Sequence, residues 1–189
     1  MSNLVEPFIS VLTPSWNRAE FLEVLITSLK NQTYKNFEWV IGNDGSIDGT
    51  NELLSREIES LGFPVTYVSS DLRIGKAKMD NLLLDHAKGE YLIWCDSDDS
   101  FTVNALEEVS QILTKNQISS NSGIVGVIGQ NLDTKGVSQT FNSTIAPPID
   151  GIYSWNELEK ILLGDGTICV KKSLFDNQRW PEVDFLITE

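Results

Sequence analysis

Hydrophobic and polar residues follow two different periods along the first part of the chain. Short apolar runs rich in β-branched and aromatic residues predict strands at 8–14, 37–42, 65–70 and 90–95. The segments between them carry apolar residues at helical spacing and predict helices at 17–32, 50–62 and 76–89. Strands that alternate with helices in this order predict an α/β fold, with a mainly parallel central sheet and helices on both of its faces.

Local signals predict where the helices begin and end. Asn17 is predicted to be the N-cap of the first helix, because a short polar side chain can accept a hydrogen bond from the first turn, and Glu20 follows three residues later. Gly62 and Gly89 are predicted to close the second and third helices.

The remaining chain continues the pattern less regularly. A helix is predicted at 104–117, followed by a wholly apolar strand at 123–130 of the kind that is buried on both faces. Residues 131–153 are polar and hold two adjacent prolines, which predicts loops outside the main core. The residues "SWNE" at 154–157 form a capping box that opens another helix, and 167–170 predicts one more short strand.

Length and composition fit a single domain with one hydrophobic core. The chain has 189 residues and 41% hydrophobic content, and no apolar run reaches the roughly 18 residues that would span a bilayer. The N-terminal "MSNLVEPF" lacks the basic start and apolar core of a secretory signal, which favours a cytoplasmic location. Cys95 and Cys169 stand in apolar segments without metal-ligand spacing, and we interpret them as buried thiols.

The net charge of −13 narrows the range of partners. Affinity for nucleic acid comes from lysine and arginine that displace counterions from the phosphate backbone, so a nucleic-acid partner is not expected. Anionic membrane surfaces are disfavoured on the same ground. If the substrate is an anion such as a nucleotide, the protein needs a cation or a few well-placed basic groups to bind it.

Three polar clusters follow predicted strands. They are "TPSWNR" at 13–18, "NDGSIDG" at 43–49 and "DSDDS" at 96–100. In open parallel sheets, ligands bind beyond the carboxyl ends of the strands, where such loops converge. The shared position of the clusters therefore predicts a binding site at this edge of the sheet.

The acidic cluster is suited to a metal ion. Alternate side chains of an extended backbone face the same way, so Asp96 and Asp98 are expected to converge. Their mutual repulsion would be relieved by Mg²⁺ or Mn²⁺, which is commonly held by one or two carboxylates together with substrate phosphates. Calcium in an EF-hand is disfavoured, because Phe101 replaces the required glycine and a strand precedes the loop. Acidic residues that simply solvate a loop and cap a helix are the other alternative.

The other clusters offer groups that could bind a nucleotide. Thr13 supplies a hydroxyl and Trp16 a flat ring for a nucleobase. Asp44 could accept an N–H from a base edge, or could equally form a local turn. Arg73 and Lys76 stand in a third loop and could offset phosphate charge.

Taken together, three segments resemble the family 2 glycosyltransferases of the GT-A fold in order and spacing. They are "FISVLTPSWNR", "NQTYKNFEWVIGNDGSIDGT" and "GKAKMDNLLLDHAKGEYLIWCDSDD". The resemblance is strong over 7–110 and loose beyond. It implies a nucleotide-sugar donor, a UDP-sugar, with Mn²⁺ or Mg²⁺ at the Asp96-Ser97-Asp98 motif and transfer of the sugar to an acceptor hydroxyl with inversion.

The residues and the resemblance together assign six positions to the nucleotide: Thr13, Pro14, Trp16, Asp44, Lys76 and Asp96. Within this set, Asp44 matches the carboxylate that reads uracil. Asp98 matches the usual metal ligand, with Asp96 near the ribose or the metal. Asp80 stands where the family commonly has a basic residue. The resemblance therefore implies that the phosphate-binding side of the site is altered in this chain.

The resemblance also suggests how the single domain 1–189 is organised, with a nucleotide-binding part at 1–110 and the start of an acceptor-binding part at 111–189. Inverting members use a late carboxylate as general base, typically the aspartate of a Glu-Asp pair. We expect Glu189 to be the first half of that pair, with the chain ending before the base and the rest of the acceptor site. Asp184 and Asp165 are the fallback candidates.

The implied partners are a nucleotide-sugar donor and a hydroxyl acceptor on a saccharide, a lipid-linked molecule or another compound, in polysaccharide biosynthesis. Peripheral association with the inner face of the membrane, through a missing C-terminal part, is a further expectation. A nucleotidyltransferase is disfavoured because 13–18 is not a glycine-rich basic loop. A catalytically inactive nucleotide-sugar-binding or scaffold module stays open as the alternative.

Overall fold

A computed structural model describes residues 6–115, 126–129, 131–133, 135 and 166–182. The strands are β1 (Ile9–Ser15), β2 (Phe37–Asp44), β3 (Val65–Ser70), β4 (Tyr91–Trp94), β5 (Gly126–Gly129) and β6 (Thr167–Lys171). The α-helices are α1 (Ala19–Lys30), α2 (Thr50–Glu57), α3 (Lys76–His86) and α4 (Ala105–Lys115). Short 3₁₀ turns follow α2 at Ile58–Ser60 and β6 at Lys172–Phe175. The predicted capping box at 154–157 and most of the predicted loop region 131–153 lie outside the described residues.

The central sheet has six strands in the order β3-β2-β1-β4-β6-β5. The first four strands run parallel to one another, while β6 is antiparallel to β4 and β5 is antiparallel to β6. The prediction of a mainly parallel α/β sheet is confirmed. Since β1 lies at the centre with β2 on one side and β4 on the other, the loops that follow these three strands meet at one edge of the sheet.

Helices cover both faces of the sheet, because alternate residues of each strand point to opposite sides. One face packs against α3 through residues such as Leu12, Val40 and Leu92. The other face packs against α1, α2 and α4 through residues such as Val11 and Trp39. Both layers are fully buried at these positions. Among the helices in the described ranges, none is long and apolar enough to cross a membrane.

Three local predictions require correction. Asn17 is not an N-cap, because α1 begins at Ala19, and the Ala19 N–H donates to the Asp48 carboxylate (3.1 Å). Asn17 instead has a positive φ, and its Oδ1 accepts from the Ile47 N–H. The third helix ends at His86, before the predicted Gly89. The strand at 126–129 lies at the edge of the described sheet and is half-buried, so it is not covered on both faces as its composition suggested.

Candidate functional site

A cleft of about 270 Å³ opens where the strands of the parallel sheet end. Its walls come from the loops after β1, β2 and β4 and from the start of α3. The residues that line it are Pro14, Ser15, Trp16, Arg18, Asp44, Arg73, Lys76, Met79, Asp96, Ser97 and Asp98. Five of the six positions predicted to contact the nucleotide, and both predicted metal ligands, are in this lining.

The acidic residues at the end of β4 form a tight turn. The Asp99 N–H donates to the Asp96 carbonyl at 3.0 Å, so residues 96–99 are not extended as the alternation argument assumed. Asp96 and Asp98 nevertheless both line the cleft, with exposed side chains, while Ser97 between them is buried. A strand, β4, precedes the turn, so the helix that an EF-hand requires at that position is absent from this described segment.

Lys76, the first residue of α3, reaches across the cleft to the acidic turn. Its Nζ atom lies 2.7 Å from Asp96 Oδ1, and both side chains are about 60% exposed. An exposed ion pair of this kind contributes about 0–1 kcal/mol, so a ligand could separate its partners at little cost. Lys76 is therefore placed to contact either the acidic turn or an anion bound beside it.

An arginine lies over the aromatic ring that was predicted to hold a base. The guanidinium carbon of Arg73 is 3.5 Å from the centroid of the Trp16 ring, and Trp16 itself is 40% exposed. A planar guanidinium stacks on an indole through cation–π attraction, and a nucleobase can use the same ring face. A base that stacked on this face would have to displace Arg73.

Asp44 at the end of β2 is buried, with 4% of its surface exposed, and both of its carboxylate oxygens are in use. Oδ1 accepts from the Ile74 N–H (2.6 Å) and Oδ2 from the Gly75 N–H (2.9 Å). Gly45 lets the two loops approach each other, because it has a φ of +70° and a Cβ there would lie 2.6 Å from the Leu72 backbone. The first role of Asp44 is thus to fix the loop that carries Arg73 and leads into α3.

Thr13 is the one predicted nucleotide contact that does not line the cleft. It is fully buried, and its hydroxyl oxygen accepts a hydrogen bond from the Trp39 indole at 3.0 Å. Thr13 is therefore a buried residue that links β1 to β2, and it is not part of the cleft lining. The predicted general base Glu189 and its fallbacks Asp184 and Asp165 lie outside the described residues.

Three buried side-chain atoms have no hydrogen-bond partner within the described residues: Ser15 Oγ, Asp80 Oδ1 and Trp94 Nε1. Ser15 lines the cleft, Asp80 lies one helical turn beyond Lys76 on α3, and Trp94 is two residues before Asp96. Each unsatisfied buried polar atom costs about 1–3 kcal/mol. Of these three atoms, Ser15 Oγ is the one whose residue lines the cleft, so a ligand there could supply its missing partner.

Burial also perturbs the titration of Asp80. The side chain is 5% exposed, and loss of solvent raises its pKa to about 6. The Lys76 ammonium lowers the pKa in opposition, and the Asp96 carboxylate raises it further. The Trp94 side chain lowers the pKa of Asp80 as a neighbouring hydrogen-bond donor, although the geometry between them falls short of a well-formed hydrogen bond.

Sequence reasoning noted Asp80 only as a departure from a family pattern and did not single out Ser15, Arg18 or Trp94. No local signal in the sequence marks these three, because their positions depend on how β1, β4 and α3 pack. The one available signal was at Asp80, where an acidic residue occurs among the apolar positions of a helix.

The acidic turn has the chemistry of a divalent cation site. Carboxylate oxygens are the ligands that Mg²⁺ and Mn²⁺ prefer, and the two exposed carboxylates stand beside a cleft that is large enough for phosphates. Within the described ranges, no group of three or more histidine, cysteine, aspartate and glutamate side chains could hold a metal by itself. The protein would then contribute Asp96 and Asp98, and phosphate or water oxygens would complete the coordination.

A larger groove of about 500 Å³ lies between α1 and the loop after the acidic turn. It is lined by residues such as Val24, Phe101 and Val103, and it contains none of the carboxylates that follow the strands. Ser28, one of its polar residues, already donates to Leu25 O and accepts from the Phe101 N–H. The smaller cleft is the better candidate because its charged groups converge.

The sequence is similar to those of known glycosyltransferases. A family model described as "Glycosyl transferase family 2" matches residues 10–175. The chain is 32% identical over 103 residues to a putative teichuronic acid biosynthesis glycosyltransferase of Bacillus subtilis, covering 54% of this chain and 40% of that protein. It is 28% identical over 181 residues to a Campylobacter jejuni GalNAc(5)-diNAcBac-PP-undecaprenol β-1,3-glucosyltransferase, covering 93% of this chain and 55% of that protein.

Two solved structures share the fold. S. aureus TarS 1–349 superposes with a TM-score of 0.67 at 20% identity, covering 92% of this chain and 50% of that chain. The Pyrobaculum calidifontis mannosyltransferase PcManGT, solved with GDP-Man and Mn²⁺, superposes with a TM-score of 0.68 at 20% identity. The superposition covers 95% of this chain and 49% of that chain. The chain thus spans about half the length of these proteins.

Proposed function

This chain belongs to glycosyl transferase family 2, and on that premise we propose that it transfers a sugar from a UDP-sugar donor to an acceptor hydroxyl, with inversion at the anomeric carbon. One observation carries the proposal: an aromatic ring, three basic side chains and three carboxylates converge on one cleft where the parallel strands end. A nucleotide sugar needs an aromatic ring for its base, and it needs basic groups and a metal held by carboxylates for its diphosphate.

The base and ribose are assigned to the side of the cleft formed by Trp16 and Asp44. Trp16 offers its exposed ring face to uracil, with Arg73 displaced from that face to the rim of the base or to the phosphates. Asp44 keeps its hydrogen bonds to the 74–75 backbone and accepts from the base edge with a remaining lone pair. Pro14 also lines the cleft, and Thr13 links β1 to β2 through its hydrogen bond with Trp39.

The diphosphate is assigned to the opposite side of the cleft. Asp96 and Asp98 would hold Mn²⁺ or Mg²⁺, which when bound neutralises charge on the diphosphate and so stabilises it as a leaving group. Lys76 leaves its ion pair with Asp96 and donates to a phosphate oxygen. PcManGT, with the same fold, was solved with Mn²⁺ and a nucleotide sugar, which supports a divalent cation here.

The proposal for the acceptor is based on the names of two similar proteins. The Campylobacter jejuni protein is named for a lipid-linked undecaprenol acceptor and the Bacillus subtilis protein for teichuronic acid biosynthesis. We therefore propose a saccharide or lipid-linked hydroxyl acceptor in polysaccharide biosynthesis, reached from the cytoplasm at the inner face of the membrane. For the catalytic carboxylate on the acceptor side, the assignment stays with Glu189, with Asp184 and Asp165 as fallbacks.

Calorimetric titration of UDP in the presence of Mn²⁺ tests the donor site. Asp98→Ala should weaken this binding by about tenfold or more, since it removes one of two protein ligands to the metal. Glu59→Ala, which removes an exposed carboxylate distant from the cleft, should leave the affinity unchanged. Equal affinity of wild type and Asp98→Ala would refute the metal role of the turn. Hydrolysis of UDP-sugars with and without Mn²⁺ distinguishes an active transferase from an inactive binding module.

A further inference from the structure

The aromatic ring that the proposed function assigns to the nucleobase is covered by one of the protein's own side chains. We propose that Arg73 is a specificity-determining residue that occupies the base position on Trp16 until a ligand binds, and that its guanidinium then transfers to the diphosphate of the ligand. Arg73 thereby favours nucleoside diphosphates over uncharged nucleosides. This inference rests on the proposed function, because it requires a nucleotide in the cleft.

The stack of Arg73 on Trp16 takes the space that a base needs. The guanidinium carbon of Arg73 lies 3.5 Å from the centroid of the Trp16 ring, which is the contact distance between two flat groups. A nucleobase that stacks on the same face would lie at a similar distance from the ring. Arg73 and a base are therefore mutually exclusive on this face of Trp16.

The backbone around Arg73 is held in place, so the exchange is a movement of the side chain. The N–H groups of Ile74 and Gly75 donate to Asp44 at 2.6 and 2.9 Å. On the other side of this contact, a Cβ atom at Gly45 would lie 2.7 Å from the Arg73 nitrogen. The Arg73 side chain is exposed and lines the cleft. When it leaves the ring, it rotates about a fixed point, and its guanidinium stays beside the cleft.

The diphosphate is the anion best placed to receive the released guanidinium. Among the ion pairs of the described residues, none involves Arg73. Of the three carboxylates in the lining, Asp44 accepts from the backbone with both oxygens, and Asp96 and Asp98 are assigned to the metal. Arginine binds phosphate through parallel hydrogen bonds. A ligand with phosphates therefore gives Arg73 a new partner, whereas an uncharged nucleoside displaces Arg73 and gives it none.

Support of the Trp16 ring is the competing role for the stack. Both side chains are exposed, and a cation–π contact at an exposed site is weak. The loop that carries Arg73 is fixed without the stack, by the hydrogen bonds to Asp44. The two roles differ in sign, because a support raises the affinity for every ligand with a base, whereas a competitor for the ring lowers the affinity for a nucleoside.

Calorimetry with uridine and with UDP, both in Mn²⁺, tests the exchange. Arg73→Ala uncovers the Trp16 ring, so uridine should bind about two- to fivefold more tightly than to wild type. UDP should bind about fivefold or more weakly, because the lost phosphate contact outweighs the uncovered ring. Arg56→Ala is the control and should change neither affinity, since Arg56 is exposed, pairs with Glu23 and Glu57, and does not line the cleft.

The signs of the two changes separate the possible outcomes. If Arg73→Ala binds uridine no more tightly than wild type does, Arg73 is not a competitor for the ring, and the inference is overturned. If UDP binds to the variant as tightly as to wild type or more tightly, the guanidinium does not reach the diphosphate, and the inference is again overturned. Failure of wild type to bind UDP at all would instead overturn the proposed function. Thermal unfolding shows that the variant is folded, as the exposure of Arg73 leads us to expect.

Discussion

At the scale of single residues, Asp80 is a carboxyl group of the described chain whose environment opposes its charge. It is 5% exposed, its pKa is raised to about 6 by burial, and one of its oxygens is unsatisfied in the described structure. In the unfolded chain the same carboxyl titrates near 3.8. The folded protein therefore binds the proton more tightly, and its stability is greatest with Asp80 neutral and falls as pH rises between these two values.

Replacing Asp80 with asparagine removes this titration. The difference in pKa corresponds to about 3 kcal/mol. The unfolding free energy of Asp80→Asn, relative to that of wild type, should therefore rise by up to this amount as the pH is raised from 4 to 7. Urea unfolding at both pH values, in EDTA, measures the difference. Parallel pH profiles for the two proteins would show that Asp80 is solvated in the folded state.

The site also shows how far individual residues could be predicted from the sequence. Residues of the strand-end clusters such as Trp16, Asp44 and Asp96 were predicted to meet, and they do line one cleft. The contacts they make there were not predicted. That Asp44 uses both oxygens on the 74–75 backbone, and that Arg73 stacks on Trp16, depends on residues about 30 to 60 positions apart in the chain, where no local pattern acts.

At the scale of secondary-structure elements, one carboxylate accepts hydrogen bonds at the start of two helices. Asp48 Oδ2 accepts from the Ala19 N–H at the start of α1, and Oδ1 accepts from the backbone and hydroxyl of Thr50 at the start of α2. Slight burial alone would raise the pKa of Asp48, but these hydrogen bonds, that of Thr50 foremost, lower it overall. The two helices are thus fixed to each other at the edge of the sheet that forms the cleft.

Asp48→Ala should lower the free energy of unfolding by about 1–2 kcal/mol, because it leaves N–H groups at two helix starts without an acceptor. Asp48→Asn retains an acceptor oxygen and should lose less. Asp71→Ala, which removes an exposed carboxylate from a loop, is the control and should change stability little. Chemical denaturation at pH 7 measures all three; equal losses for Ala and Asn would mean that charge, and not capping, is what Asp48 supplies.

Element positions were predicted better than element ends. The strands predicted at 37–42 and 65–70 recur as β2 and β3. β2 is buried throughout and has the apolar run that this requires, while the half-buried edge strand β3 was marked by its β-branched and aromatic residues. The prediction that Asn17 caps α1 was wrong, because Asp48, which is distant in sequence, accepts the hydrogen bond from the Ala19 N–H. The prediction that the strand now labelled β5 is buried on both faces was wrong, because composition does not reveal whether a strand lies inside a sheet or at its edge.

At the scale of the whole molecule, the site depends on how closely α3 packs on the sheet. A Cβ atom at Gly42 of β2 would lie 2.4 Å from Met79 Sδ and 2.8 Å from its Cγ, and Met79 is fully buried. The same helix carries Lys76 into the cleft and holds Asp80 buried one turn further on. The missing side chain at Gly42 therefore sets the distance between the sheet and two of the charged groups at the strand ends.

A double-mutant cycle tests this coupling. Gly42→Ala should cost about 1–3 kcal/mol of unfolding free energy, because the added methyl group overpacks against Met79. In a Met79→Ala background the space is already open, so the same change should cost close to nothing, and the difference is the coupling energy. Gly129→Ala is the matched control, since a Cβ there would meet nothing closer than Thr167 O at 3.7 Å. Additive costs in the cycle would mean that strand β2 itself, rather than the approach of α3, requires the glycine.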